Sequence, residues 1–363
     1  MTMRIRDLIS RFTPYSWELS TSEIANMTGL PPSRIHRMDT NTSPFMPKTA
    51  LTALSKNARN LRVNDYPDTS YIELRKQLSN YCKTRADQVI ITNGADEALD
   101  IIAKTLLDPG DEAVIPSPSY SMYRVSSEIM GARAVSVPRS RNFGLDLNAI
   151  KQALTSRTRI IFVCNPNSPT GNLASSEEIL SLIELARDAT VVVDEAYFEF
   201  SGKTSSDLTM KYDNLLVVRT FSKAFSMAGV RVGYILASPD AVEKLNLVRP
   251  PNSVGTASIF MAEQALRDIG SMRRSVRTIV KERERMSEIM KATTHCRVYP
   301  GEANFILFNP RNVSSKKLHR KMMKKGYVLR DLSGVTDVEN CLRVSVSSDK
   351  VNDGFLRALS QTL

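Results

Sequence analysis

Short apolar runs alternate with amphipathic stretches between residues 88 and 240. The runs are rich in Val, Ile and Leu without polar alternation, which indicates strands buried on both faces, as in a mostly parallel sheet. One intervening stretch, SSEEILSLIELAR (175–187), has a helical period and a capping-box pattern from Ser175 to Glu178. We predict an α/β fold with a mostly parallel central sheet and crossover helices. The predicted strands are QVIIT (88–92), EAVIP (112–116), RIIFVC (159–164), TVVVD (190–194), LLVVRTF (215–221) and GYILAS (233–238).

The composition is that of a globular protein with one large core and a smaller one. The chain has 363 residues, of which 42% are hydrophobic and 24% are charged. It has no run of 18 apolar residues and no signal-peptide pattern, so we expect no membrane partner. Four scattered cysteines fit a reducing, cytoplasmic setting, and three scattered histidines leave no plausible metal cluster.

The formal net charge of +11 raises the question of a nucleic-acid partner. Residues 271–330 hold sixteen Lys or Arg against four Glu, so this region accounts for the whole imbalance. Its stretch SSKKLHRKMMKKG has the spacing of a helix with one apolar face and a basic outer face. There is no interleaved aromatic pattern for stacking on bases. A solvated basic surface is the better interpretation, and we expect no nucleic-acid partner.

Polar side chains follow five of the predicted strands at the point where each strand ends. Each group has an ordinary interpretation alone: a helix start at 93–97, a turn at 165–171, a surface lysine at Lys223. However, ligands collect at the carboxyl ends of strands in such sheets. Five polar groups at successive strand ends therefore predict a single site, made of residues 93–97, Tyr120, residues 165–171, Asp194 with Tyr197, and Ser222 with Lys223.

The chemistry of this set matches the requirements of pyridoxal phosphate. Lys223 follows a predicted buried strand, where desolvation lowers the pKa of an amine and leaves it neutral for Schiff-base formation. Asp194 supplies a carboxylate for the pyridine nitrogen. The helix start at 95–97 offers free backbone N–H groups to a phosphate, together with Ser222 and Arg231. We predict that this cofactor is tethered at Lys223.

Motifs along nearly the whole chain carry a family resemblance. They are FTPY (12–15), MDTNTSPF (38–45), NDYPD (64–68), NGADEALD (93–100), PSYSMY (118–123), NPNSPTG (165–171), DEAYFEF (194–200), TFSKAFSMAGVRVGY (220–234), EANFILF (302–308), YVLRDLS (327–333) and CLRVSV (341–346). Together they resemble the fold-type I pyridoxal-phosphate enzymes of the aminotransferase superfamily, and most closely the histidinol-phosphate aminotransferases. The resemblance implies an N-terminal segment (1–45) that contributes to the substrate site and the small domain, a large cofactor-binding domain (46–250) and a small C-terminal α+β domain (251–363).

The resemblance also implies a role for each residue of the cofactor site. Lys223 forms the Schiff base and shuttles protons, Asp194 pairs with the pyridine nitrogen, and Tyr197 contacts the ring oxygen. The other implied cofactor-binding residues are Tyr120 (stacked on the ring), Asn167 (ring oxygen), the backbone of Ala95 and Asp96 with Thr220, Ser222 and Arg231 (phosphate), and Tyr66, which reaches the phosphate from the partner subunit of a homodimer.

On the substrate side, the resemblance implies that Arg343 meets the carboxylate of the amino acid. Tyr15 and Arg330 match residues around the substrate phosphate. The alternative for Arg330 is a structural salt bridge with Asp331 or Glu339.

The implied reaction is transamination of histidinol phosphate with 2-oxoglutarate, which yields imidazole acetol phosphate and glutamate in histidine biosynthesis. A broad-specificity aromatic aminotransferase and a threonine-phosphate decarboxylase are alternatives on the same site. A DNA-binding regulator on the same fold is disfavoured, because it needs an added domain and the residues before Gln88 are already occupied by family motifs.

Three positions depart from the family pattern. Ser168 stands where the family usually has the asparagine before Pro-Thr-Gly, so the ring-oxygen contact is assigned to Asn167. Thr42 replaces an acidic residue, and Ser347 with Ser348 replaces a glycine after the last strand. The last two departures lie near the predicted substrate side, which leaves the amine donor as the most open part of the prediction.

Overall fold

A computed structural model describes residues 3–10, 12 and 17–363. Tyr15 lies outside the described residues. The strands are β1 (His36–Arg37), β2 (Val89–Thr92), β3 (Glu112–Ser117), β4 (Arg133–Pro138), β5 (Thr158–Cys164), β6 (Thr190–Asp194), β7 (Leu215–Thr220), β8 (Gly233–Leu236), β9 (Arg297–Val298), β10 (Phe305–Asn309), β11 (Tyr327–Val328), β12 (Arg330–Asp331) and β13 (Leu342–Ser345). The helices are α1 (Asp7–Ser10), α2 (Thr21–Thr28), α3 (Lys48–Asn57), α4 (Ile72–Cys82), α5 (Gly94–Leu106), α6 (Met122–Ile129), α7 (Leu147–Ala153), α8 (Ser176–Leu185), α9 (Phe198–Ser201), α10 (Pro239–Asn246), α11 (Thr256–Arg267), α12 (Ile269–Thr293), α13 (Ser315–Lys324) and α14 (Asp349–Ser360).

The centre of the molecule is a seven-stranded sheet with the order β2-β8-β7-β6-β5-β3-β4. β8 runs antiparallel to both of its neighbours, and the other neighbouring pairs are parallel. The predicted α/β fold with a mostly parallel sheet is therefore confirmed. Each of the six predicted strands is present, and β4 is an additional strand at the edge.

The central strands are buried on both faces, as their continuous apolar sequence predicts. Val191 and Val193 of β6 pack into one hydrophobic cluster, whereas Val192 packs into another on the opposite face. Leu215 and Leu216 of β7 divide in the same way. Helices cover both faces, so the polar ends of the strands are the places where the sheet can meet a ligand.

A second, antiparallel sheet with the order β12-β13-β10-β9 forms in the C-terminal part of the chain. The short strand β1 pairs in parallel with β11, with His36 opposite Tyr327, so residues near the N-terminus join this part of the molecule. This grouping supports the expected division at residues 45 and 250, which stays a prediction. No helix among the described residues is long and apolar enough to cross a bilayer.

Candidate active site

A cavity of about 460 Å³ opens where the parallel strands β5, β6 and β7 end. It is lined by residues from the large sheet, from the N-terminal segment and from the C-terminal sheet. The structure therefore brings together groups that the sequence scatters over three regions. The predicted residues that line it are Ala95, Asp96, Tyr120, Asp194, Tyr197, Thr220, Ser222, Lys223, Arg231, Arg330 and Arg343.

Lys223 follows β7 and projects its amine into this cavity. Nζ donates a hydrogen bond to the carbonyl oxygen of Thr40 at 3.3 Å and lies 5.7 Å from the centre of the Tyr197 ring. Desolvation, followed by the positive charge of Arg343, lowers the pKa of Lys223 to about 8. The amine is therefore easier to deprotonate than an exposed lysine, as a Schiff-base nucleophile requires.

Asp194 ends β6 as a buried carboxylate with two hydrogen-bond donors. Its Oδ2 accepts from the Tyr123 hydroxyl at 2.7 Å, and its Oδ1 accepts from the Ala196 backbone N–H at 3.0 Å. Burial raises the pKa of Asp194 to about 6, although both hydrogen bonds favour the charged form. Tyr123, stacked on Phe162 with centroids 4.9 Å apart, was missed by sequence reasoning although it lies in the PSYSMY motif.

The Tyr197 hydroxyl accepts a hydrogen bond from Asn41 Nδ2 at 2.9 Å. Burial raises the pKa of Tyr197 to about 12, so the phenol is neutral. Asn41 is itself fixed by the C-terminal sheet: its N–H donates to Ser345 Oγ at 2.9 Å, and its carbonyl oxygen accepts from Asn304 Nδ2 at 2.9 Å. Sequence reasoning did not single out Asn41, whose only signal was its place in MDTNTSPF.

The start of α5 forms a cradle suited to a phosphate. Its N-cap residue, Asn93, makes no side-chain capping bond, so the first backbone N–H groups of the helix lack that partner. Gly94 has a φ of +79°, and a Cβ there would lie 2.5 Å from Arg231 Nη2. A Cβ on Gly233 would lie 2.5 Å from the carbonyl carbon of Gly94. Both glycines thus permit the close approach that brings a guanidinium to a helix N-terminus.

Hydroxyl and cationic donors complete this cradle. Arg231 Nη1 donates to Ser222 Oγ at 3.4 Å, and Nη2 donates to Asp96 Oδ2 at 3.3 Å. Thr220 Oγ1 lies 2.9 Å from Ser222 Oγ, and the Tyr120 hydroxyl donates to Asp96 Oδ1 at 2.9 Å. Backbone N–H groups, two hydroxyls and a guanidinium are the donor set that a phosphate dianion needs. These residues therefore fit pyridoxal phosphate.

The geometry contradicts the ring contact assigned to Asn167. Its buried side chain donates to the carbonyl oxygen of Pro118 at 2.9 Å and to Thr170 at 2.6 Å, and it accepts from Ser119 at 2.9 Å. These bonds use its amide away from the cavity, whose lining includes Ser168 instead. The residue that departs from the family pattern thus occupies the pocket.

Tyr66 and the remaining departures from the family pattern lie in different parts of the structure. Tyr66 is 87% exposed and does not contribute to the lining of the cavity in its own chain. Its predicted role in a partner's site stays a prediction. Thr42 lines the cavity, with its hydroxyl 3.1 Å from that of Thr40. Ser347 donates its N–H to Asn352 at 2.9 Å, and Ser348 is the N-cap residue of α14.

Two arginines stand side by side in the lining of the cavity. Arg330 of β12 and Arg343 of β13 are direct partners in the antiparallel register. Arg343 donates to Ser168 Oγ at 3.1 Å and to the carbonyl oxygen of Asp39 at 2.8 Å. Arg330 pairs with Glu18, at 2.6 Å. The alternative from the sequence was a salt bridge with Asp331 or Glu339, and Glu18 is neither of these.

Comparisons with known proteins identify the class. The family model for aminotransferases of class I and II matches residues 35–359. The chain belongs to this family, whose members depend on pyridoxal phosphate, and it is a transaminase.

The relatives within the family narrow the class. A histidinol-phosphate aminotransferase of Ruminiclostridium cellulolyticum is 36% identical and is aligned over 98% of this chain and 97% of its own length. The crystal structure of the histidinol-phosphate aminotransferase from Clostridium acetobutylicum matches with a TM-score of 0.83 at 27% identity, covering 90% of this chain and 98% of that one. The pyridoxal-phosphate complex of the Sinorhizobium meliloti enzyme matches with a TM-score of 0.90 over 99% of this chain and 98% of that one; at 22% identity it shows the fold alone.

Proposed function

We propose that this protein is a histidinol-phosphate aminotransferase that transfers the amino group of histidinol phosphate to 2-oxoglutarate. The observation that carries the proposal is one cavity lined both by Lys223 and by the neighbouring arginines Arg330 and Arg343. Histidinol phosphate brings one phosphate and 2-oxoglutarate brings two carboxylates, and arginines can bind these anions by charge-assisted hydrogen bonds. The full-length similarity to curated histidinol-phosphate aminotransferases supports the same substrate.

Pyridoxal phosphate, when bound, supplies an electron sink for the negative charge that develops when a proton leaves the substrate carbon. We assign Lys223 to its covalent attachment and to carrying that proton on Nζ, since its lowered pKa of about 8 lets the amine act as a base near neutral pH. The Asp194 carboxylate keeps the ring nitrogen protonated. Tyr197 donates to the ring oxygen while Asn41 fixes the orientation of its hydroxyl.

The cradle at the start of α5 holds the cofactor phosphate with backbone N–H groups, Ser222 and Arg231. In the turn after β5, we assign the position that faces the ring to Ser168 and no longer to Asn167. At the substrate end, Arg343 receives a carboxylate, because its hydrogen bonds to Ser168 and Asp39 go to neutral oxygens that water can replace. Arg330 receives the phosphate of histidinol phosphate.

The proposal includes a homodimer in the cytoplasm. Tyr66 and nearby Val63 are large side chains that are 87% and 75% exposed. Such exposure of neighbouring side chains suits an interface with a second copy, through which Tyr66 would reach the partner's cofactor phosphate. The four cysteines are free thiols, as a reducing compartment requires.

Replacement of Arg330 tests the substrate. Arg330→Ala removes a charge-assisted bond to phosphate, so kcat/KM for histidinol phosphate falls by about ten- to a hundredfold. Activity on unphosphorylated histidinol, which lacks the anion, changes little. Equal losses on both substrates would contradict phosphate recognition by Arg330. Phenylalanine and phosphothreonine, assayed beside them, separate this function from an aromatic aminotransferase and from a threonine-phosphate decarboxylase.

A further inference from the structure

Glu18 forms an ion pair with Arg330, the arginine to which we assign the substrate phosphate. Its Oε1 lies 2.6 Å from Arg330 Nη1, and the two side chains are 25% and 24% exposed. Both residues line the cavity. In the proposed function, Arg330 binds the substrate phosphate. Before the substrate arrives, the carboxylate of Glu18 is already paired with this guanidinium.

Arg330 differs in this respect from its neighbour Arg343. The hydrogen bonds of Arg343 to Ser168 and Asp39 go to a hydroxyl and a carbonyl oxygen, which carry no net charge. A substrate carboxylate that replaces these two contacts of Arg343 takes the place of neutral oxygens. A phosphate that binds Nη1 of Arg330 takes the place of the carboxylate of Glu18.

The surrounding charges explain why an anion is needed there. Arg330 and Arg343 are opposed directly across two antiparallel strands, where like charges destabilise the pairing. Arg37 adds a third cation: its pKa is raised by the hydrogen bond to Asp39 and, to a smaller extent, by the charge of Glu18. Asp39 pairs with Arg37, and Glu18 supplies a counter-ion to Arg330 until a ligand anion arrives.

The position of Glu18 suits an exchangeable contact. The backbone is anchored just beyond it, where Ser20 and Glu23 form a capping box and Ile24 is buried in a hydrophobic cluster. The side chains on either side of Glu18 are exposed, 83% for Trp17 and 43% for Leu19. The ion pair of Glu18 with Arg330 is therefore a contact at the edge of the cavity that a ligand anion at Nη1 would replace.

We propose that Glu18 competes with anions for Arg330 and yields to the phosphate of a bound substrate. The competition lowers the affinity of Arg330 for any anion by the same factor. A substrate phosphate tolerates that loss, because the amine of the substrate is held near Lys223 and the phosphate therefore has a high effective concentration. Free inorganic phosphate lacks this advantage and binds only weakly. The inference rests on the proposed role of Arg330.

The test is binding of inorganic phosphate to the holoenzyme, in which the cofactor phosphate occupies the cradle at α5. Calorimetric titration at constant ionic strength is expected to show that Glu18→Gln binds phosphate about tenfold more tightly than the wild type, the size of a partly exposed charge-assisted pair. Glu18→Asp keeps the charge and stays close to the wild type. Trp17, the only tryptophan of the chain, reports the exchange: its emission changes on phosphate addition in the wild type and not in Arg330→Ala.

Two results overturn the inference, and they differ in what they imply. If Glu18→Gln binds phosphate no more tightly while Arg330→Ala abolishes binding, Glu18 is no competitor, and the proposed role of Arg330 stands. If Arg330→Ala binds phosphate as well as the wild type, phosphate does not bind at this arginine, and both the inference and the assignment of Arg330 to the substrate phosphate fail.

Discussion

Lys223 owes its lowered pKa of about 8 to its position at the end of a buried strand. Desolvation makes the ammonium costly, and Arg343 adds a like charge. The hydrogen bond of Nζ to the Thr40 carbonyl oxygen, at 3.3 Å, holds the amine in the cavity without pairing it to a carboxylate. An amine held in this way remains available for covalent chemistry.

Lys223→Ala is expected to abolish turnover by several orders of magnitude and to leave the protein folded. The reaction loses its nucleophile and its proton carrier, whereas the fold loses one hydrogen bond to a backbone oxygen. Circular dichroism and a transamination assay measure the two effects. Borohydride reduction of the wild-type holoenzyme followed by peptide mapping checks the assignment, and a label on another lysine would refute it.

Asp194 makes the stability of the cofactor-free protein depend on pH. Its folded-state pKa of about 6 lies above the ordinary value of 3.8, so between these values the folded state binds more protons than the unfolded state. Stability therefore falls as pH rises through this window. Asp194→Asn removes this dependence. Its free energy of unfolding, relative to that of the wild type, therefore increases by about 2–3 kcal/mol from pH 4 to pH 7.

Urea unfolding of both apoproteins at fixed protein concentration measures the difference. If the difference in the free energy of unfolding between the two apoproteins is constant over this pH range, ionisation of Asp194 does not destabilise the folded state. The pyridine nitrogen of the cofactor is the partner expected to offset that cost in the holoenzyme.

At this scale the sequence predicted the chemistry of the site better than its contacts. Residues that follow strands, such as Lys223 and Asp194, were predictable because strand ends share one edge of the sheet. Tyr123 and Asn41 were not, since their roles depend on tertiary contacts with Asp194 and Tyr197. Asn167 was misassigned because neighbouring residues of a turn point in different directions, which the sequence does not reveal.

Between elements, an ion pair inside the protein ties the end of β6 to β7. Glu195 and Arg219 are 2.9 Å apart with only 1% and 2% of their side chains exposed. Thr204 and the backbone N–H of Ser205 donate to the same carboxylate, and the guanidinium lies 3.7 Å from the centre of the Phe198 ring. This network fixes the strand ends that carry Asp194 and Thr220.

Glu195→Gln is expected to destabilise the protein by about 3–5 kcal/mol, because it leaves the charge of Arg219 buried without its counter-ion. The matched control is Asp100→Asn, which breaks the ion pair with Lys104 on the exposed face of α5. That change costs about 0.5 kcal/mol. Chemical denaturation compares the two, and a loss in Glu195→Gln as small as in the control would show that the pair does not support the fold.

The strand that sequence reasoning missed differs from the others in its surroundings. β4 lies at the edge of the sheet, and of its residues only Val137 is buried. Its sequence, RAVSVP, is interrupted by Ser136 and so lacks the continuous apolar run that identified β5, β6 and β7. A continuous apolar run thus identifies a strand of this sheet only where both faces of the strand are buried.

At the scale of the whole molecule, two copies of the chain are expected to share their active sites. Tyr66→Phe and Lys223→Ala, each impaired alone, should regain activity when their subunits exchange. The site on the Tyr66→Phe subunit then has its own Lys223 and an intact Tyr66 from its partner. Random exchange restores about one quarter of the wild-type activity. Exchanged dimers, verified by mass spectrometry, that stay at the level of the single variants would contradict sharing.

The order of strands in the sheet was beyond sequence reasoning for a physical reason. β8 inserts between β2 and β7, although β2 is far from both of them along the chain. Which strand becomes a neighbour depends on crossover geometry and on the packing of α5 against β8. A glycine pair, Gly94 and Gly233, makes that contact possible, and its significance appears only in three dimensions.

The support of Tyr197 through Asn41 and Ser345 has a consequence for how the chain matures. Asn41 and Ser345 are 304 positions apart, and β1 likewise pairs with β11 near the other end of the chain. A ribosome releases the first of these residues long before the second, at roughly 5–20 residues per second. A nascent chain can therefore build the central sheet early, while its catalytic pocket stays incomplete until Ser345 has been synthesised. Contacts of such long range also slow folding, so the appearance of activity is expected to lag behind the appearance of the folded sheet.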